Sequence, residues 1–247
     1  FEFNFGHCPK IVFIDHHLCH ASSAFYPSGF KESIVLTADY SGNGISTTIS
    51  IGKGNNLKRI KKFNKPNSLG IFYSIFTQVL GYEIDNDEYK VMGLASYGKP
   101  TFNLDKFLMV EKGNYKLNTK ILSKNELNKS KSKDLTRQEP FYDKKFLVNS
   151  WLKKRFSKKD YGKTKINLAA SVQHKLNEAA ESLIKWAYKK TKIRNVCLAG
   201  GVALNCTMNR HLSKLPFVDK IFVQPASSDA GNSLGAAIYL LKKLKKK

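Results

Sequence analysis

NVCLAGGVALNCTMNRHLSKLPFVDKIFVQPASSDAGNSLGAA, residues 195–237, is the stretch whose pattern decides the fold. Asn195–Leu198 is an apolar run of strand length that stops at the turn Ala199-Gly200-Gly201-Val202. Apolar residues then recur at helical spacing over Ala203–Leu212, and a second strand-like run follows at Lys220–Val223. Ser227-Ser228-Asp229-Ala230-Gly231-Asn232 leads into another helical pattern over Ala230–Leu244. Strand, glycine turn, helix, strand, acidic turn, helix is the alternation of a nucleotide-binding α/β fold. Two glycines after a strand, opening a helix, aim N–H groups and the helix dipole at a phosphate. Close packing is the competing reason for a Gly-Gly pair. Asp229 has helix capping as its ordinary role, and it also faces the rim where such folds collect ligands.

Toward the N-terminus, Lys10–Ile14 reads as a short buried strand and His16–Tyr26 as a helix, with Asp15 placed to cap it. Ser33–Ala38, Ile45–Ile51 and Leu57–Phe63 read as strands, the first two joined through Asp39-Tyr40-Ser41-Gly42-Asn43-Gly44. That connection suits a phosphate nest and a plain hairpin turn equally. Ser68–Leu80 has helical spacing with Asn67 or Ser68 as its cap. From about residue 100 to 165 the chain is Lys-rich and without strong periodicity until Phe146–Phe156, after which Leu168–Lys190 forms a long amphipathic helix. Residues 1–100, 101–165 and 166–247 therefore divide into a first-lobe remainder, an insertion and a second lobe.

His16 and His20 stand four apart on one helix face, so both imidazoles can share a metal ion. Asp39, at the end of the neighbouring strand, strengthens that reading. His17 is rotated about a third of a turn away and is a weaker ligand, though a spare histidine can serve as a base. The net charge of +23 comes mostly from dispersed lysines. Arginine, the usual residue for bidentate phosphate recognition, is scarce, so nucleic acid is not the expected partner. Cys8, Cys19, Cys197 and Cys206 form no CxxC pair and read as reduced thiols of a cytoplasmic protein. The longest uncharged stretch, Ser68–Tyr82, is too short to span a bilayer, and the N-terminus lacks the pattern of a signal peptide.

Six segments together resemble the nodulation-protein-U type O-carbamoyltransferases. They are Asp15–Phe25 (DHHLCHASSAF), Thr37–Gly44 (TADYSGNG), Ser68–Ser74 (SLGIFYS), Glu88–Gly98 (EYKVMGLASYG), Gly200–Cys206 (GGVALNC) and Pro225–Ala237 (PASSDAGNSLGAA). Gln173 and Glu178 also look like that family's pattern. The resemblance implies an α/β, actin-like ATPase (RNase H-like) fold with mixed sheets flanked by helices and an incomplete first lobe. It is shared with the tRNA threonylcarbamoyladenosine transferases. It implies a divalent metal, Fe2+ first, bound by His16, His20, Asp39 and Asp229, and ATP or carbamoyl adenylate beside Ser41, Gly42, Gly70, Lys90, Gly200, Gly201 and Asn205. His16, His20 and Asp39 would be catalytic in passing a carbamoyl group to a hydroxyl of a sugar or other small molecule.

Family members begin with a further stretch bearing a His-Asp motif and continue into a YrdC-like domain, which makes the donor from carbamoyl phosphate and ATP. The chain is thus expected to be a fragment, a split-gene product or a degenerate paralogue that relies on such a domain. Threonylcarbamoyl transfer to tRNA and a non-catalytic nucleotide- or RNA-binding module remain as alternative readings.

Overall fold

In a computed structural model, residues 10–119 and 161–244, with residues 4 and 6, are described. The framework is a five-stranded sheet of order β3-β2-β1-β6-β7. Its strands are β1 (Glu32–Gly42), β2 (Ile45–Lys53), β3 (Asn56–Asn64), β6 (Asn195–Ala199) and β7 (Lys220–Val223). β1, β2 and β3 are antiparallel, whereas β1 pairs with β6, and β6 with β7, in parallel. An antiparallel meander continued by parallel strands in this order is the RNase H-like half of an actin-like ATPase. The strands flanking residues 100–165 on either side thus belong to one sheet.

Alternation along the central strands explains the two packing layers. Ile34, Leu36 and Ala38 of β1, with Val196 and Leu198 of β6, face the main core. There they meet α2 (Leu69–Val79) and the long α4 (Tyr161–Thr191), which contribute Phe72, Phe76, Leu176 and Leu183. Val35, Cys197 and Ala199 point to the other face, against Ala21, Ala24 and Phe25 of α1 (His16–Phe25). A strand buried on both sides carries few polar side chains, and Ser33–Ala38 is buried throughout. β3 lies at the sheet's edge and carries Lys58, Arg59, Lys61 and Lys62, charges that discourage edge-to-edge association.

Short helices α3 (Glu88–Ala95) and α5 (Cys206–Ser213) and the hairpin β4 (Leu108–Glu111)–β5 (Asn114–Leu117) complete the main-core side. Although the composition around residue 110 is Lys-rich, Leu104, Phe107, Leu108, Tyr115 and Leu117 are core residues, and Tyr115 stacks on Phe63 at 4.4 Å. Phe146–Phe156 lies outside the described residues.

Two sequence expectations are corrected, and one left open between two readings is decided. Lys10–Ile14 forms no strand, and Ile11, Val12 and Phe13 are exposed. An apolar run predicts burial only if a strand or layer receives it, and the five strands of the sheet are all supplied by residues 32–64 and 195–223. The helix after Gly200-Gly201 does not start at Ala203. A 3-10 turn, Gly201–Leu204, intervenes, and α5 starts at Cys206 with the Asn205 side chain accepting from the Met208 N–H. Residues 39–44 are a hairpin end: β1 runs to Gly42, and Asn43 and Gly44 make the turn with φ of 53° and 74°. That is the left-handed pair a tight two-residue hairpin turn demands.

The last helix, α6 (Asn232–Leu244), lies on α1. The contact is close because of Gly235, where an added Cβ would stand 1.9 Å from the Cys19 carbonyl oxygen. Alanine is ordinarily the better helix former by about 0.5–1 kcal/mol, so Gly235→Ala tests the packing directly. We expect it to destabilise by about 1–3 kcal/mol, read as a lower midpoint in urea; a rise in stability would show that the two helices are free to separate.

Candidate active site

The site forms where the carboxyl ends of β1 and β6 meet the start of α1. Asp15 caps α1, accepting from the Leu18 N–H at 2.9 Å, and is also paired with Arg59. That cap fixes the first turn, and the four-residue spacing then sets His16 and His20 one above the other. Opposite them, the regular β1–β2 register breaks between Ala38 and Gly42. Such an irregularity re-aims side chains, and Asp39 lies within it. Its Oδ1 accepts from the Tyr40 N–H at 2.8 Å and the Gly201 N–H at 3.3 Å. Oδ2 is left to face the histidines.

Four side chains converge. His16 Nε2 lies 3.1 Å from Asp39 Oδ2 and 3.4 Å from Asp229 Oδ1. His20 Nε2 lies 3.3 Å from each of those oxygens and 3.1 Å from His16 Nε2. Donors held about 2.0–2.2 Å from one ion at tetrahedral angles stand roughly 3.3–3.6 Å apart. These spacings are close to that range, and the chemistry suits a cation: two carboxylate oxygens and two imidazole nitrogens meet at one place, with too few protons among them to bridge every edge. His16, His20, Asp39 and Asp229 are therefore the residues that could hold a metal ion.

The electrostatics agree with that balance. Burial pushes the Asp39 carboxyl up, but hydrogen bonds from His16 and His20 outweigh it and hold it well below the usual carboxylate range. His16 is raised, first by its hydrogen bond to Asp39, against the opposing effect of burial. His17 differs from both. Its Nε2 donates to the Ile45 carbonyl at 3.0 Å and its Nδ1 meets Thr37 Oγ1 at 2.8 Å. With both nitrogens engaged beneath the sheet it has no lone pair to offer a substrate, so the reading of His17 as a spare base is withdrawn.

Beside the four-residue cluster opens a cavity of about 540 Å3, within the range of pockets that take small molecules and cofactors. Asp39, Gly70, Gly201, Asn205 and Asp229 line it, together with Tyr73, Glu88, Met92 and Leu204. Gly70 approaches the Tyr40 backbone so closely that a Cβ would lie 2.8 Å from its nitrogen. Asn205 is tied to Gln173 by two hydrogen bonds of 2.9 and 3.0 Å, and Gln173 accepts from the Tyr73 hydroxyl.

Ser41, Gly42, Lys90 and Gly200 are not among the lining residues. Gly42 has a packing role, since a Cβ there would lie 2.0 Å from the His16 ring. Gly200, at φ +93°, makes room for the Ala38 carbonyl. Lys90 is ion-paired with Asp87 at 2.7 Å. Tyr73 and Asn232 were missed in the sequence: Tyr73 sits inside an apolar helical run and reads as core, and Asn232 reads as one more polar residue in a helix start.

Burial holds the His17 pKa down at about 4. The ring is expected to stay neutral from neutral pH down to about 5, with an NMR titration midpoint far below that of an exposed histidine. Because the folded value lies below the unfolded one, the unfolded chain binds a proton that the native state excludes, and stability falls as pH drops from about 6.5 toward 4. A midpoint near the ordinary value would mean that the ring is not enclosed as described.

Comparison with known proteins places the chain in a family. The chain is 34% identical over 243 residues to nodulation protein NolNO of Sinorhizobium fredii, covering 95% of this chain and 32% of that protein. It is 33% identical to nodulation protein NolO of Bradyrhizobium diazoefficiens, covering 94% and 39%. It is 35% identical to the uncharacterized protein sll1178 of Synechocystis, covering 93% and 36%. The chain spans about a third of the length of these curated relatives. Among solved structures it is similar in fold to full-length HypF in its phosphate- and nucleotide-bound form, with TM-score 0.60 and 14% identity, covering 96% of this chain and 43% of that one. It is also similar to the activator of 2-hydroxyisocaproyl-CoA dehydratase from Clostridium difficile with bound ADPNP, with TM-score 0.53 and 13% identity, covering 98% and 72%. Residues 4–238 match the family model described as the carbamoyltransferase N-terminus, and the chain belongs to that family.

Proposed function

We propose that the chain is the carbamoyl-transfer domain of an O-carbamoyltransferase, which moves a carbamoyl group from a carbamoyl adenylate to a hydroxyl of a sugar or other small molecule. The observation that carries this reading is the convergence of His16, His20, Asp39 and Asp229 at the edge of the cavity. Family membership supports the reaction class. The nucleotides named for the two proteins of similar fold support a nucleotide as occupant. In this proposal the four residues hold a divalent cation, Fe2+ first, which when bound acts as a Lewis acid toward the carbamoyl carbonyl. Donor synthesis from carbamoyl phosphate and ATP is assigned to a YrdC-like domain, and the working compartment to the cytoplasm. No helix among the described residues is long and apolar enough to cross a membrane.

The protein groups have separable tasks. His20, fully buried, and His16 form the fixed wall of the cation site. Asp39 supplies charge and is itself anchored by two backbone N–H groups. Gly70, Gly201 and Asn205 let the nucleotide approach the backbone, and Tyr73 and Gln173 hold Asn205 in place. Leu204 and Met92 give the cavity an apolar side.

Calorimetric titration of the chain with Zn2+, and with Fe2+ under anaerobic conditions, is expected to show one site. His20→Ala should weaken it by more than about 100-fold, beyond what outer-sphere changes cost. Equal occupancy in wild type and variant would overturn the metal assignment. Leu204→Glu, at an exposed position on the cavity wall, should lower affinity for a non-hydrolysable ATP analogue by repelling its phosphates. Unaltered nucleotide binding would move the nucleotide out of this cavity.

A further inference from the structure

One residue touches three of the four converging side chains and has no part in the scheme above. Asn232, the first residue of α6, stands three positions after Asp229. Its Nδ2 lies 3.3 Å from His16 Nδ1, 3.5 Å from His20 Nε2 and 3.3 Å from Asp229 Oδ1. The other end of the same carboxamide, Oδ1, is buried with no hydrogen-bond partner. Oxygen and nitrogen of a carboxamide have nearly the same shape, so which end meets His16 Nδ1 calls for a reason.

The tautomer of His16 supplies one. A neutral imidazole carries a single proton, and for Nε2 to offer a lone pair to a cation that proton must sit on Nδ1. An Nδ1–H needs an acceptor, and the group facing Nδ1 is the Asn232 carboxamide. With Nδ2 forward, the amide donates to Asp229 and to Nδ1, and this matches a His16 whose proton is on Nε2 and given to Asp39. Half a turn about the last side-chain bond exchanges oxygen and nitrogen within nearly the same volume. The oxygen then accepts from Nδ1–H, and the amide nitrogen takes the place that Oδ1 held. The loss of the Asn232–Asp229 bond is offset when Asp229 Oδ1 turns its charge to a cation.

We propose that Asn232 is a positioning residue of the cation site, whose carboxamide reverses so that Oδ1 accepts the Nδ1–H of His16 and holds the ring in its ligating tautomer. No net proton is taken up in the exchange; it leaves Nε2 and one is carried on Nδ1. The inference rests on the reading of His16 as a ligand.

The test compares the chain with Asn232→Leu, which keeps the volume and removes both polar atoms, and Asn232→Asp, which keeps an acceptor. Co2+ and Zn2+ affinities are measured by competition with a chromophoric chelator, the visible Co2+ spectrum is recorded, and thermal midpoints are taken without metal. The leucine variant is expected to bind about 10–100-fold more weakly, as for other groups that orient a ligating histidine, with the Co2+ bands unmoved because the direct donors are the same. Asn232→Asp should bind within about threefold of wild type, or more tightly. Wild-type affinity in Asn232→Leu, a shifted Co2+ spectrum in that variant, or equal losses in both variants would each overturn the proposal. If the leucine variant does not fold, Asn232→Ala carries the same comparison. Failure of the wild type itself to bind either ion sinks the metal reading as a whole, an outcome distinct from a silent Asn232.

Discussion

The parallel pairing of β1 with β6 is the constraint on which the rest depends. Ile34 lies beside Val196 and Thr37 beside Ala199, so segments roughly 160 residues apart in the chain end at the same rim. Asp39 follows β1 directly, and the Gly200-Gly201 turn follows β6. The same pairing lets the Gly201 N–H reach Asp39 and orders the far side of the sheet, where Val35, Cys197 and Ala199 form the floor for α1. Without that register, His16 and His20 would still share a helix face but would have no carboxylate to face.

Close packing then turns proximity into geometry. Gly42 gives way to the His16 ring, Gly200 to the Ala38 carbonyl and Gly235 to the Cys19 carbonyl. Each of the three removes a Cβ at a place where α1, β1, β6 or α6 must approach its neighbour. Two of these glycines lie in segments that a sequence reader associates with phosphate binding. Here their missing side chains serve the histidine wall and the sheet, while Gly70 and Gly201 line the cavity. A glycine-rich signature therefore mixes two physical causes, and only neighbouring atoms separate them.

What the sequence disclosed follows the range of the interaction. The HxxxH pair is local, fixed by helix pitch and by the Asp15 cap, and it was legible from spacing. The strand–turn–helix alternation from residue 195 onward was legible for the same reason, although the place where α5 begins was not, because the Asn205 cap and the intervening 3-10 turn are decided by contact with Gln173 and Met208. Lys10–Ile14 shows the opposite failure: its pattern describes what the segment could bury, while burial depends on a partner strand. Asn232 was beyond reach altogether. Its significance lies in one amide meeting residues 16, 20 and 229, and no one-dimensional pattern encodes that meeting.

The direction in which the centre opens is set by an exposure gradient across its four residues. His20 has no exposed side-chain surface, Asp39 has 13%, His16 has 18% and Asp229 has 73%. Asp39 and Asp229 line the cavity, whereas the two histidines do not. The imidazoles are thus the back of the site and the carboxylates its front. A ligand in the cavity would meet any bound cation from the carboxylate side, across two negative charges that a cation must balance. Without a cation, such a front opposes an anionic group placed against it. The histidines are held by α1 on the side away from the cavity, and Asp229, on the short 3-10 turn before α6, is the most exposed of the four.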